Sequence, residues 1–319
     1  MSVRKLIKFG PSSYGISIPL DWIEKHKIDD TNSLYFKDND SYISYYLEDP
    51  KKNLKKEAII DFDSLSLKLF NKLLVSYYLR NFPSIIIKGE SIDERFEQIK
   101  TYVDKLPRLE VTTIKSNSLM LHNATDFQNI NIDELIINIE NSVISMLETL
   151  KEKDFKRSYS KIQMLDTSIN QMYFLGTKIL NYSIEVEQNY NVIKNIIYYT
   201  KIINLTEKIG DNIKRISRYY KLHLTNPEIL KDINPTIELL IEYQNLITNF
   251  KIKKNGAQNE ILNSLQDKKN SILKDVEEKN NLREENYQLE LVISHIIKDI
   301  LGLYDEIIVI TIDTFINNT

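Results

Sequence analysis

The spacing of apolar residues changes twice along the chain, and each change predicts a different kind of structure. Over residues 1–48, apolar and polar side chains alternate in short stretches such as the one from Tyr14 to Ile18, which predicts β-strands. Pro19 begins a predicted short helix, and the run DNDS at residues 38–41 predicts a hairpin turn. A β-rich module of this size buries too little surface to be stable alone, and pairing with a second copy is the usual remedy.

Strands and helices alternate over residues 57–128, after a polar and basic connector at residues 50–57. Four stretches have the composition of strands: AIIDF, SIIIKG, EVTTIKS and SLMLHNA. Two longer stretches, at residues 64–81 and 91–106, have the apolar period of helices. The alternation predicts an α+β module whose helices lie on one face of a sheet.

From about Asn131 to the end of the sequence, apolar residues recur with the period of helices. Three long periodic segments are followed by a break at residues 226–235, which contains two prolines, and then by three more segments. This pattern predicts two three-helix bundles, at residues 131–225 and 234–319. A shift of 88 residues superposes EKIGD on HIIKD and keeps the apolar stripe in phase. The match favours a duplicated unit.

Composition and charge limit the chemistry that the chain can carry. The net charge is −3, so DNA contact would have to come from a local basic patch. No cysteine is present, which excludes disulfides, thiolate zinc sites, iron–sulfur clusters and cysteine nucleophiles, and leaves carboxylate and imidazole as the expected metal ligands. No apolar run approaches the roughly 18 residues of a membrane span. We therefore expect a cytoplasmic protein without membrane insertion.

Two acidic residues, Glu207 and Asp211, lie four positions apart on the side of a predicted helix opposite its apolar stripe. At this spacing the carboxylates either repel each other in water or share a cation. The preceding helix carries Asp166 and Asn170 at the same spacing. If the helices are antiparallel neighbours, three carboxylates and an amide oxygen come together, which suits iron, manganese, magnesium or calcium. A solvated acidic face with Lys214 one turn away is the alternative.

The second bundle offers a second candidate site, at His295 and Asp299. Histidine in place of a carboxylate keeps a ligand but removes a negative charge. A structural histidine is the alternative. The charged segment before this helix carries further acidic candidates, namely Asp267, Asp275 and Glu278.

Three basic residues near the start, Arg4, Lys5 and Lys8, are candidate DNA contacts. Pairing two copies would double this patch across a two-fold axis and match a pseudo-palindromic site. A solvated basic terminus is the alternative, since the module also carries acidic residues. The sequence contains no Ser-His-Asp spacing that argues for a triad, no P-loop and no dinucleotide fingerprint, and we expect no catalytic activity.

The stretch RKLIKFGPSSYGISIPLDWIEKHKI resembles the SpoVT-AbrB DNA-binding module that is fused to archaeal PhoU-like phosphate uptake regulators. That pattern has a basic start, a Gly-Gly-Ser-Ser/Thr-Tyr turn and a Ser-Leu-Pro-x-x-Trp entry to a helix, and Pro11 replaces one of its glycines. The residues that match are Arg4, Lys5, Gly10, Ser12, Ser13, Tyr14, Ser17, Pro19 and Trp22. The resemblance implies a swapped-hairpin homodimer that binds DNA. The contacting residues would be Arg4, Lys5, Lys8, Ser12 and Ser13.

The helical half is similar to the same regulators, and with the middle region the likeness covers nearly the whole chain. Asp166 and Asn170, followed by Tyr-Phe-Leu, resemble the family's second helix; EKIGD resembles its third helix, and HIIKD the repeat of the third helix. The resemblance implies two PhoU-like bundles that hold clusters of iron or another divalent metal, such as manganese, magnesium or zinc. The ligands would be Asp166, Asn170, Glu207, Asp211, His295 and Asp299.

We therefore expect a multidomain fold: a small β-rich swapped-hairpin (AbrB-like) module, an α+β middle module and an all-α duplicated three-helix bundle (PhoU-like). The expected function is that of a dimeric, DNA-binding transcriptional regulator of phosphate uptake with a metal-binding helical sensor. One alternative is an adaptor that regulates a phosphate transporter or a signalling kinase by protein contact. Another is a carboxylate-bridged di-metal enzyme.

Overall fold

The chain forms two compact units, Met1–Leu54 and Lys55–Thr319. A β-rich region comes first and a mostly helical region follows, as the sequence predicts. The structure is a computed structural model that describes residues 3–29, 33–39, 42–47, 57–90, 92–127, 129–152, 154–186, 190–222, 228–252, 258–280 and 287–317. The predicted hairpin turn at residues 38–41 and the connector at residues 50–57 lie partly outside these segments.

Two antiparallel hairpins and one short helix form the described part of the first unit. Its elements are β1 (Leu6–Phe9), β2 (Ser13–Ile16), α1 (Leu20–Lys25), β3 (Tyr35–Asn39) and β4 (Tyr42–Tyr46). Strand β1 pairs with β2, and β3 pairs with β4. Gly10 has a φ of 73° in the turn between β1 and β2, a conformation that glycine adopts without steric cost. Helix α1 follows Pro19, as predicted.

None of the described side chains of this first unit is buried. Strands and helix alike carry large apolar side chains that stay exposed, for example Leu6 at 69% and Leu20 at 67%. The others are Val3, Ile7, Phe9, Tyr14, Ile16, Ile18, Tyr35, Phe36, Ile43, Tyr45 and Leu47. Within the described part of the first unit, residues with the alternation of half-buried strands therefore have no core to cover them.

The second unit begins with a four-stranded sheet and two helices, which we call the α+β module. Its elements are β5 (Ala58–Asp61), α2 (Leu67–Leu79), β6 (Ser84–Lys88), α3 (Phe96–Val103), β7 (Leu109–Lys115) and β8 (Ser118–Asn123). The strand order is β5-β6-β8-β7, with only the β5 and β6 pair parallel. Alternate strand residues such as Ile60 and Ile87 are buried with Phe70 of α2 and Ile99 of α3, so one face of the sheet forms the core.

Helix α3 is shorter than the helix predicted at residues 91–106. It begins at Phe96, and residues 92–95 form turns instead. These turns place Ile92 fully inside the core of the α+β module. The helical period predicts Ile92 in the first turn of a helix, whereas in the structure Ile92 is buried as part of a loop.

Six helices follow, in two sets of three. They are α4 (Ile132–Leu150), α5 (Phe155–Val186), α6 (Tyr190–Leu222), α7 (Glu228–Ile252), α8 (Gln258–Asn280) and α9 (Tyr287–Asn317). Helix α6 packs along α9 and α4 packs against α7, so that the two sets share one apolar core. None of the described helices is long and apolar enough to cross a membrane.

The break predicted at residues 226–235 is wrong in one respect. Residues 226 and 227 lie outside the described segments, but α7 begins at Glu228 and contains Pro235. A proline removes one backbone donor from a helix. Helix α7 continues past it because Ile237 and Leu240, which follow, are buried in the shared core.

Candidate functional site

Helices α5 and α6 run antiparallel and bring the four residues of the first predicted site together. Asp166 is only 5% exposed, and its Oδ2 accepts a hydrogen bond from Asn170 Nδ2 at 3.3 Å. The Lys214 ammonium lies 2.5 Å from the same Oδ2. Asp211 also hydrogen-bonds Asp166. Glu207 lies close enough to both aspartates for their charges to act on it.

Gly210, between the two carboxylates of α6, marks a close approach of the helices. A Cβ at this position would lie 3.2 Å from Ile169 Cδ1 of α5, tighter than side chains normally pack. Glycine inside a helix costs about 1 kcal/mol relative to alanine. The close packing of α5 and α6 accounts for that cost, and it also brings Glu207 and Asp211 to the helix that carries Asp166.

Two carboxylates of this cluster have raised pKa values although Lys208, Lys214 and Arg215 act in the opposite direction. Burial raises the pKa of Glu207 to about 7, with the charges of Asp211 and Asp166 as smaller causes. Two lysines, Lys208 and Lys214, oppose this shift. Burial, and then the charge of Asp166, also raises the pKa of Asp211. The cluster therefore resists full ionisation, and a further positive charge would relieve the repulsion.

The donor atoms suit a hard divalent cation, but they are arranged around Lys214. Carboxylate and amide oxygens are ligands for magnesium, calcium and manganese, and carboxylates also bind iron. Within the described segments, no three His, Cys, Asp or Glu side chains form a group that could hold a metal ion. Because Asp166 holds the ammonium of Lys214, a metal bound by Asp166 would have to displace it. The residues thus have the donor chemistry of a divalent-cation site, but in the structure Asp166 holds the Lys214 ammonium instead.

The sequence places Tyr173 on the same helix face as Asp166 and Asn170, but Tyr173 was not predicted as a residue of this site. Burial raises the pKa of the Tyr173 phenol, and the neighbouring charge of Glu207 raises it further. Tyr173 follows Asp166 by seven residues, which is two helical turns along the same face. The structure shows that this shared face also brings Tyr173 close to Glu207.

Both residues of the second candidate pair, His295 and Asp299 of α9, are exposed. His295 Nδ1 lies 2.9 Å from the carbonyl oxygen of Leu291, one turn earlier. The Asp299 side chain is 61% exposed, and its Oδ2 lies 3.9 Å from Arg215 Nη1 of α6. On α8, Asp275 accepts a hydrogen bond from Thr236 of α7. The contact that Asp299 makes in the described part of the chain is therefore with a cation of α6.

Comparison of the chain with protein-family models, with curated proteins and with solved structures found no match. The resemblance to PhoU-like regulators therefore stays a prediction from motifs.

The predicted DNA-contacting residues lie on or beside the β1–β2 hairpin. Arg4, Lys5, Lys8 and Ser12 are exposed, and Lys8 pairs with Tyr14 across the hairpin. Ser13 Oγ donates a hydrogen bond to the Phe9 carbonyl oxygen at 2.7 Å and so closes the turn. The basic side chains are thus accessible to solvent, and Ser13 has a structural role in the turn of the hairpin that carries Lys8.

Proposed function

We propose that the chain is a dimeric regulator that binds DNA through its first unit and senses a divalent cation through α5 and α6. One observation carries the proposal: none of the described residues of the first unit is buried, and its large apolar side chains are exposed. A unit of this kind needs a partner to cover that surface. The resemblance to SpoVT-AbrB modules suggests the form of the pairing, an exchange of hairpins between two copies.

The same pairing supports DNA binding. The β1–β2 hairpin carries exposed apolar side chains and begins next to Arg4 and Lys5. Two such hairpins related by a two-fold axis would place two copies of Arg4 and Lys5 against one face of a DNA duplex. Paired basic patches of this kind suit a pseudo-palindromic site. Phosphate contacts would supply most of the affinity.

The carboxylate cluster supports the sensing role. Asp166, Asn170, Glu207 and Asp211 would hold iron or another divalent cation, and the chemistry that such an ion supplies is positive charge. The resemblance suggests phosphate uptake as the process under control, in the cytoplasm. Regulation requires that the cation favour one arrangement of the dimer, because a ligand with equal affinity for two states shifts neither.

Salt-dependent DNA binding tests the proposal. We would measure binding of the full chain to a labelled mixed-sequence duplex over a series of salt concentrations. In the double variant Arg4→Ala/Lys5→Ala, we expect the slope of log affinity against log salt to fall by roughly 2 to 4, since each lost phosphate contact removes about 0.9. The matched control is Lys72→Ala/Lys115→Ala, which removes the same charge from exposed positions of the second unit.

The control variant should keep the slope of the unaltered chain. If the unaltered chain does not bind DNA, or if the two double variants have equal slopes, the DNA-binding proposal is wrong. A dimer that binds no DNA would instead favour the adaptor, in which the first unit serves only for pairing. Exposed acidic side chains of that unit, such as Asp21 and Glu24, favour this second candidate because they weaken its attraction for phosphate.

A further inference from the structure

Helix α5 has a second role, as the surface on which the α+β module docks. Gln171 Nε2 donates a hydrogen bond to the carbonyl oxygen of Asp104 at 3.2 Å. Ten residues later, Asn181 Nδ2 donates to the carbonyl oxygen of Leu79 at 3.1 Å. The ring of Tyr182 stacks on Phe127 at a centroid distance of 4.1 Å. The contacts follow one face of α5, so the C-terminal half of this helix forms the joint.

A lysine with no solvent exposure, Lys178, lies in the middle of this joint. Its Nζ donates a hydrogen bond to Asn123 Oδ1 at 2.5 Å and lies 3.8 Å from the ring centroid of Tyr78. Asn123 Oδ1 also accepts from the backbone N–H of Thr125 at 3.2 Å, which fixes it as the acceptor. The ammonium form of a lysine has three donors. The contacts made by Lys178 in the described part of the chain include no carboxylate.

The titratable groups of the surrounding elements do not compensate a charge on Lys178. Tyr78 of α2 donates its hydroxyl hydrogen to the Pro107 carbonyl oxygen. His122 of β8 and Asp126, just after that strand, are exposed. Asp133 of α4 hydrogen-bonds a tyrosine of α6. Three further charged side chains of α2 and of the C-terminal half of α5 are exposed: Lys72, Arg80 and Glu185.

A buried ammonium without a counter-charge is unfavourable, because it loses its hydration and gains no ion pair. A buried lysine therefore tends to lose its proton. Lys178 follows this tendency, because burial lowers its pKa to about 7. Once the joint opens, water reaches the amine and its pKa returns to the ordinary value near 10.4.

We propose that the contact between the α+β module and α5 is a proton-operated joint, in which Lys178 is neutral when the module is docked and protonation of Lys178 releases the module. Docking is then strongest at high pH. As pH falls from about 10 towards about 7, the undocked form gains a proton that the docked form lacks, so the ratio of undocked to docked protein rises about tenfold per pH unit. Below about pH 7 both forms carry the proton, and the ratio levels off.

The distance between the module and α5 can be measured directly. The chain has no cysteine, so a Ser76→Cys/Met164→Cys variant accepts two nitroxide labels at defined positions. Ser76 is exposed on α2, and Met164 is 74% exposed on α5. Pulsed electron spin resonance on the full chain should show one distance at pH 9. At pH 7 we expect a second, broader distribution, with the ratio of the undocked to the docked population raised about fiftyfold over its value at pH 9.

Three variants of the labelled chain test whether protonation of Lys178, and not of another group, releases the module. Lys178→Met should give the docked distance at every pH, because it cannot gain a proton. Lys178→Arg should give the broad distribution at every pH, because its guanidinium stays charged. Glu207→Gln should respond to pH like the unaltered chain, which shows that the carboxylate cluster is not the cause. Neither DNA nor metal is present, so the result is independent of the proposed function.

The proposal is overturned if the unaltered labelled chain keeps one distance from pH 9 to pH 6 with unchanged helical circular dichroism. It is also overturned if Lys178→Met responds to pH as strongly as the unaltered chain. Should the substitutions at Lys178 prevent folding, hydrogen exchange of the unaltered chain gives a second measurement. Amides of α2 and of the C-terminal half of α5 should then lose protection at pH 7 relative to pH 9, after correction for the intrinsic exchange rate, and equal protection would reject the joint.

Discussion

The two units of the chain use the same kinds of apolar residue and reach opposite states. In the second unit, alternating strand residues and helical stripes end in two closed cores, in which residues such as Ile60 and Ile209 have no exposed surface. In the first unit, residues of equal size such as Leu6 and Phe9 remain more than half exposed. An apolar pattern thus indicates which residues are suited to burial, but it does not indicate whether one copy of the chain can bury them.

The second unit is complete enough to bury even charged groups. Glu140 of α4 is 2% exposed and forms an ion pair with Lys251 of α7. Its other oxygen, Oε2, accepts a hydrogen bond from Thr248 Oγ1 at 3.2 Å. This pair lies between the two three-helix sets. Buried carboxylates are tolerated when a partner and hydrogen bonds compensate them.

The largest effect is expected at the exposed apolar surface of the first unit, where we propose that two copies pair. Leu6→Asp should abolish this proposed dimerisation, because it removes an apolar side chain from the surface and places a charge there in both copies. We expect the dissociation constant, measured by sedimentation, to rise at least about a thousandfold, since several kcal/mol are lost in each copy.

The matched control for Leu6→Asp is Leu69→Asp, which changes a leucine of similar exposure on α2 of the second unit. The control should sediment like the unaltered chain. Equal sedimentation of both variants and the unaltered chain would mean that the exposed apolar side chains of the first unit do not form a dimer interface.

A smaller effect, on stability, is expected in the second unit. Lys251→Met leaves Glu140 buried without a counter-charge, which should cost about 3–5 kcal/mol in the free energy of unfolding. Replacing both groups, as in Glu140→Leu/Lys251→Met, should recover most of this loss because no charge stays buried. Urea unfolding followed by circular dichroism gives both values.

Lys274→Met is the control for the stability prediction, since Lys274 forms an exposed ion pair with Glu278 within α8. Exposed pairs of this kind contribute about 0.5 kcal/mol or less. If the single variant at Lys251 is no less stable than the double variant, the buried pair does not act as a coupled unit.

Sequence reasoning predicts the helices and strands of this molecule well, because apolar periodicity is a local property. It also anticipates that Asp166 and Glu207 come close, since consecutive long helices joined by a short connection run antiparallel. It does not find Lys178, Glu140 or Lys251, because charged residues are usually exposed and nothing local marks the exceptions. Their burial depends on which faces of α4, α5 and α7 meet other elements, and that choice is made by packing between distant parts of the chain.

The smallest effect concerns the carboxylate cluster of α5 and α6, in which burial and repulsion between carboxylates raise the pKa values of Glu207 and Asp211. Asp211→Asn removes one ligand and one charge, and we expect manganese to bind about tenfold more weakly to chelator-treated full chain, or about 1.4 kcal/mol in calorimetry. Lys214→Gln should bind manganese more tightly, because no ammonium then competes for Asp166. Glu306→Gln, at an exposed acidic position of α9, should change nothing. If the unaltered chain binds no manganese, Lys214 is the cation that the carboxylates share, and the sensing proposal is wrong even if the first unit pairs and binds DNA.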